Sequence, residues 1–369
     1  MSMSSLTPEQ ELMRESAARV VRAAGAQGPP QERDPADVWR AVVELGWSAL
    51  PFAEADAGLG GSVADLCLLA RELGRGLLAG SFNIGTILPG RLVSAAPPSA
   101  LRTRLLEELI SGARTLALAD LEPHECGGWH GVMMQARESG DGWILDGTKT
   151  NIWSSSATRR LLVSAAASEQ CEMLLAVELG SPGLAVREFH TVDRGRAMEC
   201  AFTAARVPES AVLIRPQREV RDTREAAWDC AAVVLGAECA GMMSALTERT
   251  AEHLRSRRQF GRPLAEFQAL RHRLAEMARA TRQAEVLVDR VAHEFADLCH
   301  AQRSRLTCAV CVKSLGGAKW VAEQAVQLHG GMGVTAELPI GLYLRRVLAL
   351  QATFGAAEHH RARFQGYRL

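Results

Sequence analysis

Two spacings of hydrophobic residues divide the chain into three segments. Up to about residue 114, and again from about residue 222, apolar residues recur with helical periodicity, which predicts helices with an apolar face. From residue 115 to residue 215 they come in short, alternating or β-branched runs, which predicts strands. The pattern predicts an α+β protein with an N-terminal helical domain (1–114), a middle antiparallel β-domain of barrel or sandwich form (115–215) and a C-terminal four-helix bundle (222–369).

Local signals place the helices of the first segment. Thr7 and Gln10 have the spacing of a capping box, which predicts a helix from there to about Ala24. The other helices of this segment are predicted at residues 37–45, 63–78 and about 98–111. Because each has an apolar face, we expect these helices to pack on one another.

The middle segment contains strand signals and lacks those of a nucleotide-binding α/β fold. Strands are predicted at residues 115–121, 132–138, 143–146, 160–166, 173–179, 184–190 and 199–207. The sequence Gly140-Asp141-Gly142 is typical of a hairpin turn between two of them. No strand is followed by a G-x-G-x-x-G motif and a helix, so a Rossmann site is not predicted.

Composition narrows the compartment and the partners. The 369 residues carry 42 Lys+Arg and 42 Asp+Glu, a balance that does not favour nucleic acid or an anionic membrane as a partner. The nine scattered cysteines indicate a reducing compartment, and Cys308 and Cys311 lie in a helical pattern that favours packing over a metal site. No signal peptide is visible, and no apolar run approaches the ~20 residues of a membrane span. We expect a soluble, cytoplasmic protein without a metal.

An arginine-rich stretch lies between two long helical patterns. Residues 254–268 read L-R-S-R-R-Q-F-G-R-P-L-A-E-F-Q, and Gly261 and Pro263 separate the helical runs on either side. The basic cluster is therefore predicted at the tip of a helix hairpin. Guanidinium groups there suit a phosphate or pyrophosphate; the alternative is a solvated, charged turn.

A second motif follows the arginine-rich stretch, and the two are informative together. Residues 327–337 read Q-L-H-G-G-M-G-V-T-A-E, with Pro339 beyond. The pattern R-x-x-F-G-x-P-L-x-x-F-Q followed by Q-x-x-G-G-x-G-x-x-x-E-x-P resembles the acyl-CoA dehydrogenase family. The N-terminal string E-L-G-W-x-A-L-P…G-L-G-G-S also matches, so the resemblance covers nearly the whole chain. It implies FAD as cofactor, bound between the β-domain and the C-terminal bundle, with a neighbouring subunit reaching the adenosine diphosphate half.

The resemblance assigns roles to residues of the two motifs. Arg257 and Phe260 would meet the pyrophosphate and adenine region of FAD, and Gln268 would help to position that loop. Gln327 and Gly331 would face the cofactor of the partner subunit. A guanidinium suits a diphosphate, an aromatic ring suits stacking, and a glycine lets the dinucleotide pass close to the backbone. For Gly331 a helix C-cap is the alternative, and both roles are compatible.

The strands expected beside the flavin match the family less well. The family has a T-E-P-like strand end and a W-I-T-like segment, and this chain has residues 119–123 and 151–154 at those places. The tryptophan and threonine positions differ. Trp153 and Ser154 would serve the flavin by a shifted geometry; the alternative for Trp153 is a buried core side chain.

The catalytic base is the larger departure from the family. Removal of the α-proton of an acyl-CoA needs a carboxylate, and Phe354 and Ala231 occupy the two positions at which the family places a glutamate. Glu238 lies two turns beyond Ala231 in a small, apolar helical stretch, and Glu358 follows the Phe354 turn beside two histidines. Both are candidate bases. The alternatives are a structural carboxylate paired with an arginine or a strand for Glu238, and cofactor contact or capping for Glu358.

The resemblance implies α,β-dehydrogenation of an acyl-CoA thioester, with electrons passed to an electron-transferring flavoprotein, and it leaves the acyl group open. The expected assembly is a homodimer or homotetramer, or a heteromer with a second dehydrogenase chain. Two alternatives follow from the missing base. In the first, the chain is a non-catalytic partner subunit of a heteromeric acyl-CoA dehydrogenase and supplies structure and half of an FAD site. In the second, it is a flavin oxidase or monooxygenase on the same fold.

Overall fold

A layer of helices forms the N-terminal part of the protein. The computed structural model describes residues 6–26, 35–335 and 338–366. The helices are α1 (Pro8–Ala26), α2 (Pro35–Glu44), α3 (Val63–Arg75), α4 (Gly80–Phe82), α5 (Leu88–Ala95) and α6 (Ala100–Ile110), with a π-helical turn at Asn83–Ile87 between α4 and α5. The capping box is confirmed, because the Gln10 amide N–H donates to Thr7 Oγ1 at 3.2 Å and Gln10 Oε1 accepts from the Thr7 amide at 3.1 Å. The helical run from Gly80 was not predicted, because residues 82–90 are all buried and show no polar face.

A single eight-stranded sheet forms the middle of the chain. Its strands are β1 (Thr115–Ala119), β2 (Gln135–Ser139), β3 (Gly142–Ser154), β4 (Thr158–Ser168), β5 (Cys171–Glu178), β6 (Leu184–His190), β7 (Arg196–Pro208) and β8 (Val212–Gln217). They are ordered β6-β7-β3-β2-β4-β5-β8, and β1 pairs with β4. The α+β class is confirmed, and all seven predicted strands are present.

The prediction of a purely antiparallel sheet was wrong. β1 runs parallel to β4, and β2 meets β4 in a parallel pair at Gln135 and Ala166. β1 enters from α6 and leaves through a long loop, so no hairpin forces it to be antiparallel to its neighbour. β8 was also missed, because Pro216 interrupts its pattern; the strand lies at the sheet edge, where proline is tolerated.

Long helices return after the sheet. They are α7 (Glu219–Ser256), α8 (Gln268–Glu294), α9 (His300–His329), α10 (Ile340–Phe354) and α11 (Ala357–Gly366). A two-stranded hairpin, β9 (Arg258–Gln259) with β10 (Arg262–Pro263), joins α7 to α8. Phe260 and Gly261 form its turn with φ of 52° and 80°, the left-handed pair that a tight hairpin requires. The arginine cluster thus lies at the tip of a helix hairpin, as predicted.

The central helix α7 packs so closely against α3 that side chains are excluded at two points. A Cβ on Gly74 of α3 would lie 2.3 Å from the carbonyl oxygen of Glu238, and a Cβ on Gly241 of α7 would lie 1.9 Å from the carbonyl oxygen of Arg71. Both positions therefore require glycine. The small residues around Glu238 are explained by this helix crossing.

One helix in the described part of the chain is long and apolar enough to cross a membrane. It is α7, whose most apolar 18-residue window has a mean hydropathy of 1.6. In this structure 89% of that window is buried inside the protein. This burial is the pattern of a core helix.

Candidate active site and cofactor-binding surface

The sheet and the C-terminal helices meet at a crevice beside strand β3. We call the contact between residues 151–154 of β3 and residues 352–355 at the end of α10 the domain crevice. The β3–β7 ladder shifts register between Lys149 and Ile152, and Asn151 in this bulge has φ of 49°. A bulge turns the following side chains relative to a regular strand. Ile152 is fully buried, and Trp153, next to it, faces the helices.

Trp153 is held on two sides by the C-terminal helices. Its Nε1 donates to Thr353 Oγ1 at 2.7 Å, and the guanidinium carbon of Arg346 lies 5.1 Å from the ring centroid. Both contacts come from α10, so the indole lies against this helix. Ser154, the other residue assigned to the flavin, lines a narrow cleft with Trp153, Ile84 and Thr115.

Arg346 also binds two carboxylates. Its Nε donates to Glu238 Oε1 at 2.8 Å, and its Nη1 lies 3.0 Å from Asp193 Oδ2. The exposed fractions of the side chains are 9% for Arg346, 1% for Glu238 and 7% for Asp193, so the ion pairs are shielded from water. Asp193 precedes β7 and Glu238 belongs to α7. A single guanidinium therefore ties the sheet, α7 and α10 together.

The two residues predicted as bases have different surroundings. Glu238 is paired with Arg346, which matches the structural alternative, although its Oε2 has no hydrogen-bond partner among the described residues. Glu358 has 78% of its side chain exposed and lies 3.2 Å from Arg361, one turn along α11. The hydrogen bond from Arg346 occupies Oε1 of Glu238, so this oxygen is not free to approach a substrate. An exposed carboxylate lacks the apolar surroundings that tune a base.

Aromatic side chains fill the position to which the family resemblance assigns a glutamate. Phe354 is fully buried, and its ring centroid lies 5.0 Å from that of Trp228 in an edge-to-face contact. Trp228 is in turn 5.9 Å from Trp129. Trp129 Nε1 donates to Asp229 Oδ1 at 2.9 Å. The place expected for a base is thus part of a packed aromatic cluster.

Two histidines after Phe354 border this aromatic cluster. His360 Nε2 donates to the carbonyl oxygen of Phe354 at 2.8 Å, and the His360 ring lies 5.3 Å from Trp129. Burial, helped by His359, lowers the pKa of His360 to about 3. Burial also lowers the pKa of His359, with His130 as the next cause. At neutral pH both rings are uncharged.

A buried charge network fixes the loop that carries Trp129, and sequence reasoning missed it. Arg224 donates to Asp120 Oδ2 at 3.0 Å, to the carbonyl of Gly128 at 2.7 Å and to the carbonyl of His130 at 2.5 Å. Burial alone would raise the pKa of Asp120, but Arg224 and Lys149 bring it below its ordinary value. These partners are about a hundred residues apart, so only the fold reveals them. The Gly127-Gly128 pair was the available signal for a close backbone approach.

The arginine hairpin, residues 257–263, is exposed. Phe260 has 89% of its surface exposed, and its ring lies 6.0 Å from that of Phe267. Arg262 stacks its guanidinium on the Phe267 ring at 4.1 Å, whereas the exposed Arg257 has no carboxylate within ion-pair distance in the described part of the chain. Gln268 lies 3.0 Å from His272 on the first turn of α8.

The two sequence motifs lie side by side in space. The rings of His253, near the end of α7, and His329, at the end of α9, are stacked with centroids 4.3 Å apart. Arg257 follows the first histidine by one turn, and Gly331 follows the second. Gln327 is exposed there, and a Cβ placed on Gly331 would meet no atom within 4 Å. The motifs form one open surface, separate from the side chains of the domain crevice.

Only part of the FAD site predicted from the sequence fits the cofactor. On the hairpin surface a guanidinium without an acidic partner among the described residues, an exposed ring and an uncovered glycine suit a diphosphate and an adenine. In the domain crevice Trp153 Nε1 is bonded to Thr353 Oγ1 at 2.7 Å, which leaves no layer for a flavin ring between them. The diphosphate side fits, and the ring side does not.

Comparison with known proteins identifies the class. The profile of the acyl-CoA dehydrogenase N-terminal domain matches residues 7–113, and that of the C-terminal domain matches residues 225–365. The chain is 26% identical over 321 residues to benzylmalonyl-CoA dehydrogenase of Aromatoleum aromaticum, covering 85% of this chain and 84% of the relative. It is 28% identical over 353 residues to acyl-CoA dehydrogenase IpdE2 of Mycobacterium tuberculosis, covering 92% of each. Its fold is similar to a chain of the ChsE4–ChsE5 complex of Mycobacterium tuberculosis, with a TM-score of 0.86, 22% identity, and coverage of 99% of this chain and 98% of that one.

These matches, together with the order of helices, sheet and helices along the chain, define a class of FAD-dependent oxidoreductases that act on acyl-CoA. The chain belongs to the acyl-CoA dehydrogenase family. FAD is therefore the cofactor, and an acyl-CoA is the class of substrate.

Proposed function

We propose that this chain is a subunit of a heteromeric, FAD-dependent acyl-CoA dehydrogenase whose second chain supplies the catalytic base. The reaction introduces a double bond between the α- and β-carbons of an acyl-CoA thioester, and the electrons pass to an electron-transferring flavoprotein. FAD, when bound, accepts the hydride from the β-carbon. The observation that supports this function is the side chain at the family's base position, Phe354, which is fully buried against Trp228.

The proton chemistry gives this observation its weight. Removal of the α-proton of the acyl group requires a carboxylate within hydrogen-bond reach of the substrate. Phe354 and Ala231, at the two family positions, carry no carboxylate, and Glu238 Oε1 accepts a hydrogen bond from Arg346 Nε in a buried ion pair. A homomer of this chain would lack a carboxylate at both positions in every subunit. A heteromer with a glutamate-bearing chain restores the missing group.

The partner is a second chain of the same fold. We expect the enzyme to be cytoplasmic. The ChsE4–ChsE5 structure is named as a complex of two different chains, and its fold resembles this one. The exposed arginine hairpin and the uncovered turn at Gly331 offer a surface for a dinucleotide held mainly by a neighbouring subunit. This arrangement gives the chain a role in cofactor binding without a base of its own.

A second candidate is a chain that is active alone, with Glu238 as its base. Its Oε2 atom is buried and has no hydrogen-bond partner in the described part of the chain. That oxygen is the one available to receive a proton, while Oε1 stays with Arg346. The two candidates differ in one measurable property, which is activity without a partner.

The test compares the purified chain alone with the chain coexpressed with a second, glutamate-bearing acyl-CoA dehydrogenase chain from the same genome. Bleaching of the flavin absorbance by a panel of acyl-CoA thioesters is followed without oxygen, and electron transfer is then measured with an electron-transferring flavoprotein. We expect bleaching by the complex only, and its loss when the partner's glutamate is changed to glutamine. Bleaching by this chain alone that falls about 10²-fold in Glu238→Gln would support the second candidate instead.

A further inference from the structure

Direct hydrogen bonds cross the domain crevice, which is the place that the family resemblance assigns to the flavin ring. Trp153 Nε1 donates to Thr353 Oγ1 at 2.7 Å. The amide of Gly127 donates to the carbonyl oxygen of Thr353, also at 2.7 Å, and Asn151 Nδ2 lies 3.5 Å from the carbonyl oxygen of Ala352. The loop after β1, strand β3 and the end of α10 are thus in contact with one another.

The space that a ring requires is larger than the space these contacts leave. Nonbonded carbon atoms approach to about 3.5–4.0 Å, so a planar ring covered on both faces needs its flanking groups about 7 Å apart. The hydrogen-bonded atoms across the crevice are 2.7–3.5 Å apart, at most half of that distance. The Trp153 ring also has the Arg346 guanidinium 5.1 Å from its centroid, too close for an intervening ring.

The far side of the crevice is filled as well. Phe354 follows Thr353 directly and is fully buried, and Trp228 and Trp129 continue the aromatic packing behind it with exposed fractions of 2% and 9%. The hydrogen bonds from Arg224 hold the backbone that carries Trp129 in place.

We infer that this chain does not bind a flavin ring, because Trp153 and its contacts to Thr353 and Arg346 occupy the ring position. The adenosine diphosphate half, which the family resemblance already assigns to the arginine hairpin and the Gly331 turn, is then the only part of FAD that this chain contacts. This inference rests on the proposed function and specifies which half of the cofactor the chain contacts. Trp153 is therefore a residue that excludes the ring.

Three probes test the inference on the full-length chain alone: FAD, ADP and riboflavin, with binding measured by calorimetry. A chain that contacts only the diphosphate half gains nothing from the ring. We expect FAD to bind within about ten-fold of ADP and riboflavin not to bind; absence of ADP binding would contradict the assigned diphosphate surface. FAD binding more than about ten-fold tighter than ADP, or any stoichiometric binding of riboflavin, would overturn the inference.

A substitution tests the role of Trp153 directly. Trp153→Ala removes the indole that spans the crevice, and we expect the ratio of FAD to ADP affinity to rise about ten-fold. The control is Trp39→Ala, which removes another half-buried indole, one that donates to the carbonyl of Gly112 far from the crevice; its ratio should not change. An unchanged ratio in a folded Trp153→Ala protein would contradict the inference. If that variant does not fold, the wild-type comparison of FAD with ADP still decides.

The inference and the proposed function fail in different ways. FAD binding more than about ten-fold tighter than ADP by the chain alone, combined with flavin bleaching only after the partner is added, would refute the inference and leave the proposed function standing. Equal binding of FAD and ADP, with no acyl-CoA oxidation by any complex with a glutamate-bearing chain, would leave the inference standing and refute the proposed function.

Discussion

Arg346 Nε lies 2.8 Å from Glu238 Oε1, and this ion pair is almost completely shielded from water. The contact changes the meaning of Glu238. From the sequence its apolar surroundings suggested a desolvated base, but the structure pairs this carboxylate with a buried guanidinium. Since Arg346 also reaches Asp193 at 3.0 Å, the pair is part of a junction between the sheet and the helices.

The first prediction concerns the stability of this junction. Glu238→Gln keeps the volume and an oxygen acceptor but leaves Arg346 with one carboxylate, and breaking a buried pair costs about 3–5 kcal/mol. We expect the free energy of unfolding, measured with urea, to fall by about 3 kcal/mol. Turnover per folded molecule in the complex should change by less than about three-fold, because the base is in the partner.

Asp193→Asn is the matched control for this substitution, because it removes the other carboxylate of the same arginine. It should also destabilise the fold without affecting turnover. A Glu238→Gln protein that is as stable as the parent but has lost about 10²-fold in flavin reduction would show that Glu238 is catalytic.

The second prediction concerns the two hairpin arginines. Arg257 is exposed and has no acidic partner among the described residues, so its guanidinium is available to a diphosphate. Arg262 is already stacked on the Phe267 ring at 4.1 Å. We expect Arg257→Ala to weaken FAD retention by the assembled enzyme by about 1.5–3 kcal/mol, the value of one charge-assisted contact, and Arg262→Ala to weaken it less. Equal FAD retention by Arg257→Ala and the parent would remove Arg257 from the cofactor surface.

The hairpin shows what local sequence can predict. A Phe-Gly turn, flanking helical periodicity and a proline define its position, and the fold agrees. The same holds for the capping box and for the seven predicted strands. These features depend on residues that are neighbours in the chain, and short-range patterns describe them well.

The candidate site was harder to predict because its contacts join distant parts of the chain. The small residues around Glu238 were interpreted as a base pocket, whereas Gly241 and Gly74 are there because two helices cross closely. The pairing of Glu238 with Arg346 spans 108 residues, and the bond from Trp153 to Thr353 spans 200. Hydrophobic periodicity does not encode such pairs. The sequence therefore identifies candidate site residues but not the residues to which they are hydrogen-bonded.

The third prediction is a pH dependence from His360. Its pKa is about 3 in the folded protein and near the ordinary 6.5 when unfolded, so the unfolded state binds more protons between these values. The contribution to stability is complete above pH 6.5 and is lost as the pH falls towards 3. Between pH 7 and pH 5 the loss amounts to about 2 kcal/mol.

His360→Gln isolates this effect, because glutamine is neutral throughout the range. Below pH 6.5 the unfolding free energy of this variant should depend less steeply on pH, with a slope that corresponds to about one proton fewer taken up on unfolding. His190→Gln, at an exposed histidine of β6, is the control and should retain the slope of the parent. An identical slope in His360→Gln and the parent would show that this ring is not the titrating group.

The last prediction concerns an attempt to restore the family's glutamate. Phe354→Glu places a carboxyl at the expected position, but the site is a closed aromatic contact with Trp228, 5.0 Å between centroids. Loss of the ring costs about 3–5 kcal/mol, and a buried carboxyl without a partner adds about 1–3 kcal/mol. Burial raises the pKa of such a group, so the variant should lose further stability as the pH rises above about 4.3, the ordinary value for glutamate. Phe354→Leu, which stays apolar, should lose less stability and show no added pH dependence.

We expect no flavin reduction by acyl-CoA in Phe354→Glu without a partner. A stable Phe354→Glu protein that oxidises acyl-CoA alone would show instead that the crevice opens to admit flavin and substrate.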